Sequence, residues 1–179
     1  MTQHKPDNRK KLIREALEKI VVNVGVGRMG QQPNFEAKGL QQIIRDLSLM
    51  TGQKPQTRLA KKSIAGFKLR EGQIVGLKIT LRRAKMVDFF ERLITMVLPR
   101  VKDFHGIDPK VIDKGGVLNL GLREQFIFPE TKPEDSPLIF PFEVTIVPRA
   151  KKNREATVAM YREFGVPLKK DQESKPKHK

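Results

Sequence analysis

Two stretches of the chain alternate so strictly that each reads as a β-strand with two unlike faces. From Lys19 to Val26, the residues Ile20, Val22, Val24 and Val26 fall on one side and Lys19, Val21, Asn23 and Gly25 on the other. From Ile74 to Arg82, Val75, Leu77, Ile79 and Leu81 oppose Gly76, Lys78, Thr80 and Arg82. A sheet built of such strands has one side to bury and one to leave in water, so helices cover one face only. Stripes at helical spacing are present to do this. One is Leu40, Ile43, Ile44, Leu47 and Met50, opened near Pro33 and stopped at Thr51-Gly52; another runs from Met86 to Val97 and ends or kinks at Pro99. Leu12 to Leu17 reads as a first short helix and Pro55 to Ala60 as an edge strand. Val117 to Leu122, Phe126 to Phe128 and Phe142 to Val147 read as later strands, and Met160, Tyr161 and Phe164 mark a last helix stopped by Gly165 and Pro167. The expected fold is α+β, a mainly antiparallel sheet with helices packed on one face and the other face open. It forms one domain at 19–168, after a helical segment at 1–18 and before a disordered basic tail at 169–179.

Charge says what the open face is for. The 179 residues carry 36 Lys+Arg against 20 Asp+Glu, a net +16. Between Lys54 and Lys85 there are ten basic residues (Lys54, Arg58, Lys61, Lys62, Lys68, Arg70, Lys78, Arg82, Arg83 and Lys85) and one acid, Glu71. That window is too rich in Ile, Leu, Val and Phe to be a basic tail, and so dense a one-sign field costs self-repulsion unless a polyanion neutralises it. Nucleic acid is the favoured partner over a merely solvated face. The open side of the two strands offers Asn23, Lys78, Thr80 and Arg82 but no aromatic platform, so recognition is expected from hydrogen bonds and backbone shape. The glycine-punctuated loop that begins at Lys61-Lys62 and runs to Gly72 is expected to be mobile in the free protein. Its Phe67 is read as a core anchor in preference to a platform for a base.

Enzyme chemistry has little to work with. There is no cysteine, and of the three histidines His4 and His178 lie in charged tails, which leaves His105 in a turn-like context. No metal or cofactor is expected. No apolar run is long enough to span a bilayer and no secretory signal is evident, so a cytoplasmic protein without membrane contact is expected. Gly25-Val26-Gly27-Arg28-Met29-Gly30 is a literal GxGxxG after a strand, with Asp46 near the place of a ribose-binding acid. Against a dinucleotide enzyme, the helix opens near Pro33 rather than within the glycine run, and Asp46 falls inside a helical stripe. The glycines are read instead as permitting close backbone approach at a strand end. Glu124, Glu130 and Ser63 have no partners in the sequence that would make a catalytic set, and read as structural. A general nucleoid-type binder remains an alternative on charge alone.

The segments KIVVNVGVG (Lys19 to Gly27), LSLMTGQKP (Leu47 to Pro55), AKKSIAGFKLREG (Ala60 to Gly72), KITLR (Lys78 to Arg82), RLITMVLPRVKDFHGI (Arg92 to Ile107), LGLREQFIFPE (Leu120 to Glu130) and FGVP (Phe164 to Pro167) occur in order. Together they resemble the bacterial L-five family of large-subunit ribosomal proteins. The resemblance implies a non-catalytic constituent of the central protuberance that binds 5S rRNA and helps attach it to the large-subunit rRNA. It further implies that Asn23, Gln53 and Thr80 hydrogen-bond the 5S rRNA; Lys54, Arg58, Lys78 and Arg82, read from the basic window, are expected to bind the same RNA. The loop bearing Lys61, Lys62, Ser63, Gly66, Phe67, Lys68 and Arg70 would reach P-site tRNA. Neighbouring large-subunit proteins and a small-subunit head protein, met through an intersubunit bridge, complete the implied partners of a cytoplasmic, ribosome-bound protein. The chain departs from the family pattern before the first strand and in TKPEDSPLIFPFEVTIVPRA, so the bridge contact is assigned to no residue. The last helix opens with Lys151, Lys152 and Arg154, where the helix dipole prefers acids, and phosphates nearby would account for that placement.

Overall fold

A computed structural model describes residues 6–32, 34–150 and 153–169. Helix α1 (Pro6–Ala16) runs straight into β1 (Leu17–Gly25), and a wide turn over Phe35–Gly39 leads into α2 (Leu40–Thr51). Strands β2 (Gln56–Leu59) and β3 (Ile74–Leu81) follow, then α3 (Arg83–Arg92), extended by wider and tighter turns through Arg100. Strands β4 (Leu118–Leu122) and β5 (Phe142–Pro148) and helix α4 (Arg154–Glu163) complete the order. Pro33, expected in a first helical turn, lies outside the described residues, as do Lys151, Lys152 and residues 170–179 of the expected tail.

The five strands form one sheet in the order β2-β3-β1-β5-β4, antiparallel at every pairing. The first strand is therefore central, and the predicted edge strand β2 is at an edge. Alternation sets what is buried. Ile20, Val22 and Val24 of β1, Leu77, Ile79 and Leu81 of β3, Leu118, Leu120 and Leu122 of β4, and Phe142, Val144 and Ile146 of β5 all enter one core cluster. The helices close it with Ile13 from α1, Ile43, Leu47 and Met50 from α2, Met86, Phe89 and Phe90 from α3, and Tyr161 from α4. Each such aliphatic or aromatic side chain contributes on the order of 1.5–3 kcal/mol when fully buried. Helix α2 ends as its sequence requires: Gly52 takes a left-handed φ of 64° and its N–H bonds the Ser48 carbonyl, while the Lys85 ammonium donates to the Gly52 carbonyl at 2.8 Å.

Three expectations need correction. Phe126 to Phe128 is not a strand: Gln125–Ile127 makes a single tight turn, and Phe128 packs between Phe89 (centroids 5.7 Å) and Phe142 (5.8 Å). A three-residue apolar run has no periodicity of its own, and here the fully buried Gln125 side chain ties the turn to the following loop rather than to a neighbouring strand. Phe67 is not a core anchor, being 73% exposed. The glycine run does not make the close approach expected of it, since a Cβ on Gly25 would meet nothing within 4 Å and on Gly27 only Val75 O at 3.9 Å. The tight position is Gly76 across the ladder, where a Cβ would lie 3.0 Å from the Val24 carbonyl oxygen.

The all-antiparallel sheet also removes the dinucleotide site, which needs parallel strands around a glycine turn. Asp46 is buried within α2 and accepts a hydrogen bond from Ser136 Oγ at 2.8 Å. Glu130 pairs with Arg92, and Ser63 Oγ accepts the Glu71 N–H at 2.9 Å, so both have structural partners. No helix among the described residues is long and apolar enough to cross a membrane.

Candidate nucleic-acid interface

Residues paired across an antiparallel ladder share a face, so the registers lay out the uncovered side of the sheet row by row. One row is Gly121 (β4), Glu143 (β5), Asn23 (β1), Lys78 (β3) and Gln56 (β2). The next toward the start of β1 is Asn119, Thr145, Val21 and Thr80. On the other side lie Gly25, Gly76 and Arg58. With strands about 4.8 Å apart, a five-strand row spans about 19 Å of polar surface. None of these positions is aromatic, and the only carboxylate among them is Glu143.

The structure brings the sequence-predicted trio together. Thr80 stands diagonally across the ladder from Asn23, a separation of about 7–8 Å for such pairs. Gln53, in the turn after α2, reaches β3 and donates through Nε2 to the Thr80 carbonyl at 3.3 Å. Arg58 is exposed and Lys78 half-buried on the same face, and Lys54 is exposed beside it. Arg82 differs from the others: it lies past the last residue of β3 and its guanidinium is held by Glu18 at 3.1 Å. The hydrogen bond from Arg82, with Lys19 next in importance, keeps the Glu18 carboxyl below its ordinary range.

The basic loop between β2 and β3 is a small hairpin. Ile64 and Leu69 exchange backbone hydrogen bonds (2.9 and 3.1 Å), and Lys68 at the tip has φ of 50°. Its base is closed by Ala60 N–H to the Gln73 carbonyl and Gly72 N–H to the Ala60 carbonyl. Lys61, Lys62, Ser63, Gly66, Phe67, Lys68 and Arg70 are placed together along it, and the residues from Lys61 to Lys68 are all exposed. Gln31, from the turn after the glycine run, donates to the Phe67 carbonyl at 3.0 Å, and so braces the tip from the sheet side. His105 is exposed in a loop, apart from these residues in the chain.

Reading the sequence missed half of the face. Glu143 and Thr145 sit in the central rows, flanked by Asn119 and Gly121, and none was singled out. The signal was there in Phe142-Glu143-Val144-Thr145-Ile146, whose alternation puts Glu143 and Thr145 opposite the apolar residues. What alternation lacks is adjacency, and only the ladder puts β5 beside β1.

The uncovered face is mainly polar, with Lys78 and Arg58 as its cations and a basic hairpin at its edge. Residues 15–70 match the family model described as Ribosomal protein L5, and residues 74–168 match the model of the C-terminus of the same ribosomal family. The chain is similar to the large ribosomal subunit protein uL5 of Heliobacterium modesticaldum, 48% identical over 153 residues that cover 86% of this chain and 82% of that protein. The uL5 proteins of Syntrophomonas wolfei (45% identical, 86% and 83% covered) and Fusobacterium nucleatum (45%, 86% and 81%) are similar to it as well. The two family matches adjoin between β2 and β3 and together take in the whole sheet, every site residue named above and the last helix: the chain belongs to the ribosomal protein L5 family, whose members are structural proteins and not enzymes.

Proposed function

We propose that this protein is a cytoplasmic, ribosome-bound constituent of the large subunit that binds 5S rRNA on the open face of its sheet and helps hold that RNA in the central protuberance. Its relatives carry the name of a large ribosomal subunit protein. The observation that carries the reading is the placing of Asn23 and Thr80 in adjacent ladder rows, with Gln53 bonded to the Thr80 carbonyl and Lys78 and Arg58 on the same face. Phosphate contacts position an RNA and carry no sequence information, so the amide and hydroxyl groups supply recognition while the cations supply affinity. In the same reading, the hairpin with Phe67 exposed at its tip lies against P-site tRNA, and other surfaces meet large-subunit rRNA, neighbouring proteins and a small-subunit head protein.

The test is binding to 5S rRNA, transfer RNA and duplex DNA across a salt series, with an Asn23→Ala/Gln53→Ala/Thr80→Ala variant alongside. For about six to ten phosphate contacts, affinity falls by about 10³ to 10⁵ between about 50 and 200 mM salt. The expected result is that 5S rRNA is preferred and that the variant loses the preference while keeping its salt slope. Equal binding of all three ligands by both proteins would instead support a general nucleic-acid binder.

A further inference from the structure

Glu143 is a carboxylate in the middle of a face built for a polyanion. It occupies the central row between Asn23 and Gly121, is exposed, and has no hydrogen-bond or ion-pair partner among the described residues. Arg123 lines the same shallow groove yet makes no ion pair with it. Nothing among the described residues therefore uses the charge, and Glu is a poor strand former. Beside a phosphate it repels; the groups on an RNA that it attracts are N–H and O–H donors. The surroundings are shaped for a base. Gly121 stands beside it in the same row and Gly25 lies one row over on β1; both leave the backbone bare, and a Cβ on either would meet no protein atom within 4 Å. Neither has the positive φ that requires glycine, and glycine inside a strand often marks the close approach of a ligand.

Building on the reading that the open face binds 5S rRNA, we propose that Glu143 is a specificity-determining residue whose carboxylate accepts the N1–H and N2–H donors of an unpaired guanine seated over the neighbouring Gly121. Guanine is the base whose Watson–Crick edge presents two adjacent N–H donors to the two oxygens of one carboxylate, and that edge is free only outside a duplex. The same charge keeps phosphates off the β5–β4 half of the face and directs them to Arg58 and Lys78 on the other half. The carboxylate thus fixes which way the RNA lies.

The experiment is kethoxal footprinting, which reads guanine N1 and N2, on 5S rRNA bound to wild-type protein, Glu143→Gln and Glu143→Ala, with affinities for 5S rRNA and duplex DNA measured in parallel. Exposed Glu143 can be exchanged without unfolding, and thermal melts of both variants should overlay wild type. The expected result is loss of protection at one or a few guanines, with other protections retained. Affinity for 5S rRNA should fall about 5- to 150-fold, the discrimination carried by one bidentate base contact, while duplex DNA binds as before or tighter. Unchanged guanine protection with both nucleic acids binding tighter by the same factor would overturn the proposal and leave Glu143 as simple repulsion. Wild-type protein with no preference for 5S rRNA would instead overturn the reading beneath it, and the two failures are told apart by the wild-type arm.

Discussion

Replacing Gln125 by leucine removes a side chain that joins two parts of the connection into β5. Gln125 is fully buried; its Nε2 donates to the Leu138 carbonyl at 2.7 Å and its Oε1 accepts the Phe140 N–H at 3.1 Å. The two ends of the amide are not equivalent. Leu138 O keeps a second donor, Gln42 Nε2 at 2.9 Å, whereas the Phe140 N–H, in a residue with 0% exposure, has no other acceptor among the described residues. An orphaned buried donor costs about 1–3 kcal/mol and the lost bond to Leu138 about 0.5–1.5 kcal/mol. Leucine returns part of this by apolar burial, leaving about 2–3 kcal/mol of destabilisation. At about 2–4 °C per kcal/mol for a chain of this size, Tm falls by about 4–12 °C. Gln42→Leu should cost a comparable amount, about 1–3 kcal/mol, because it leaves the Leu138 N–H without its acceptor and withdraws Nε2 from the buried Asp46 carboxylate, 3.3 Å away. The double variant should cost more than the sum of the two, because the Leu138 carbonyl then loses both donors. Thermal and urea unfolding of the three variants measure this. Gln125→Leu within about 0.5 kcal/mol of wild type, a typical surface effect, would refute the reasoning.

Tyr161→Phe should destabilise by about 1–2 kcal/mol, since the buried hydroxyl bonds the Gly116 carbonyl at 3.0 Å with that of Ile146 at 3.3 Å. Burial pushes the phenol above its ordinary 10.0, so this group's contribution is complete below the unfolded phenol's value of about 10 and is lost as pH rises from there toward the folded-state value, because the unfolded phenol ionises first. The Tm gap between wild type and variant should be flat from about pH 7 to 9 and narrow above about pH 10; a gap that widens there would contradict the assignment. Lys78→Ala and Arg58→Ala should each lower the slope of log K against log salt for RNA by about 0.9, while Arg82→Ala, whose guanidinium is already engaged by Glu18, should lower it less, and equal slopes for all three would remove that distinction. Hydrogen exchange in the free protein should be faster across the hairpin at residues 61–68, all exposed, than in β3, and equal protection would show the hairpin to be as rigid as the sheet.

Some of this was legible in the residues because it depends only on near neighbours. The period-two pattern of β1 and β3 assigns each side chain to a face whatever strand lies alongside, and the stripe from Leu40 to Met50 with Gly52 behind it marks a helix and its end in the same way. Phe126 to Phe128 failed because three apolar residues satisfy a strand and a turn equally, and the choice fell to the distant bonds of the Gln125 amide. Phe67 failed because an apolar residue in a basic loop is buried only if something packs on it, and here Gln31 braces its backbone while the ring stays in water.

The candidate site divides along the same line. Sequence alone determined that Asn23, Lys78 and Thr80 face away from the core and that cations crowd the segment from Lys54 to Lys85. Tertiary structure decided that Gln53 reaches Thr80, that Arg82 is taken up by Glu18, and that Glu143 stands between Asn23 and Gly121. The physical reason is range. A side chain's face follows from backbone geometry over two or three residues, but which strand lies beside it is set by hydrogen bonds between segments far apart in the chain, such as Asn23 with its ladder partners Lys78 and Glu143.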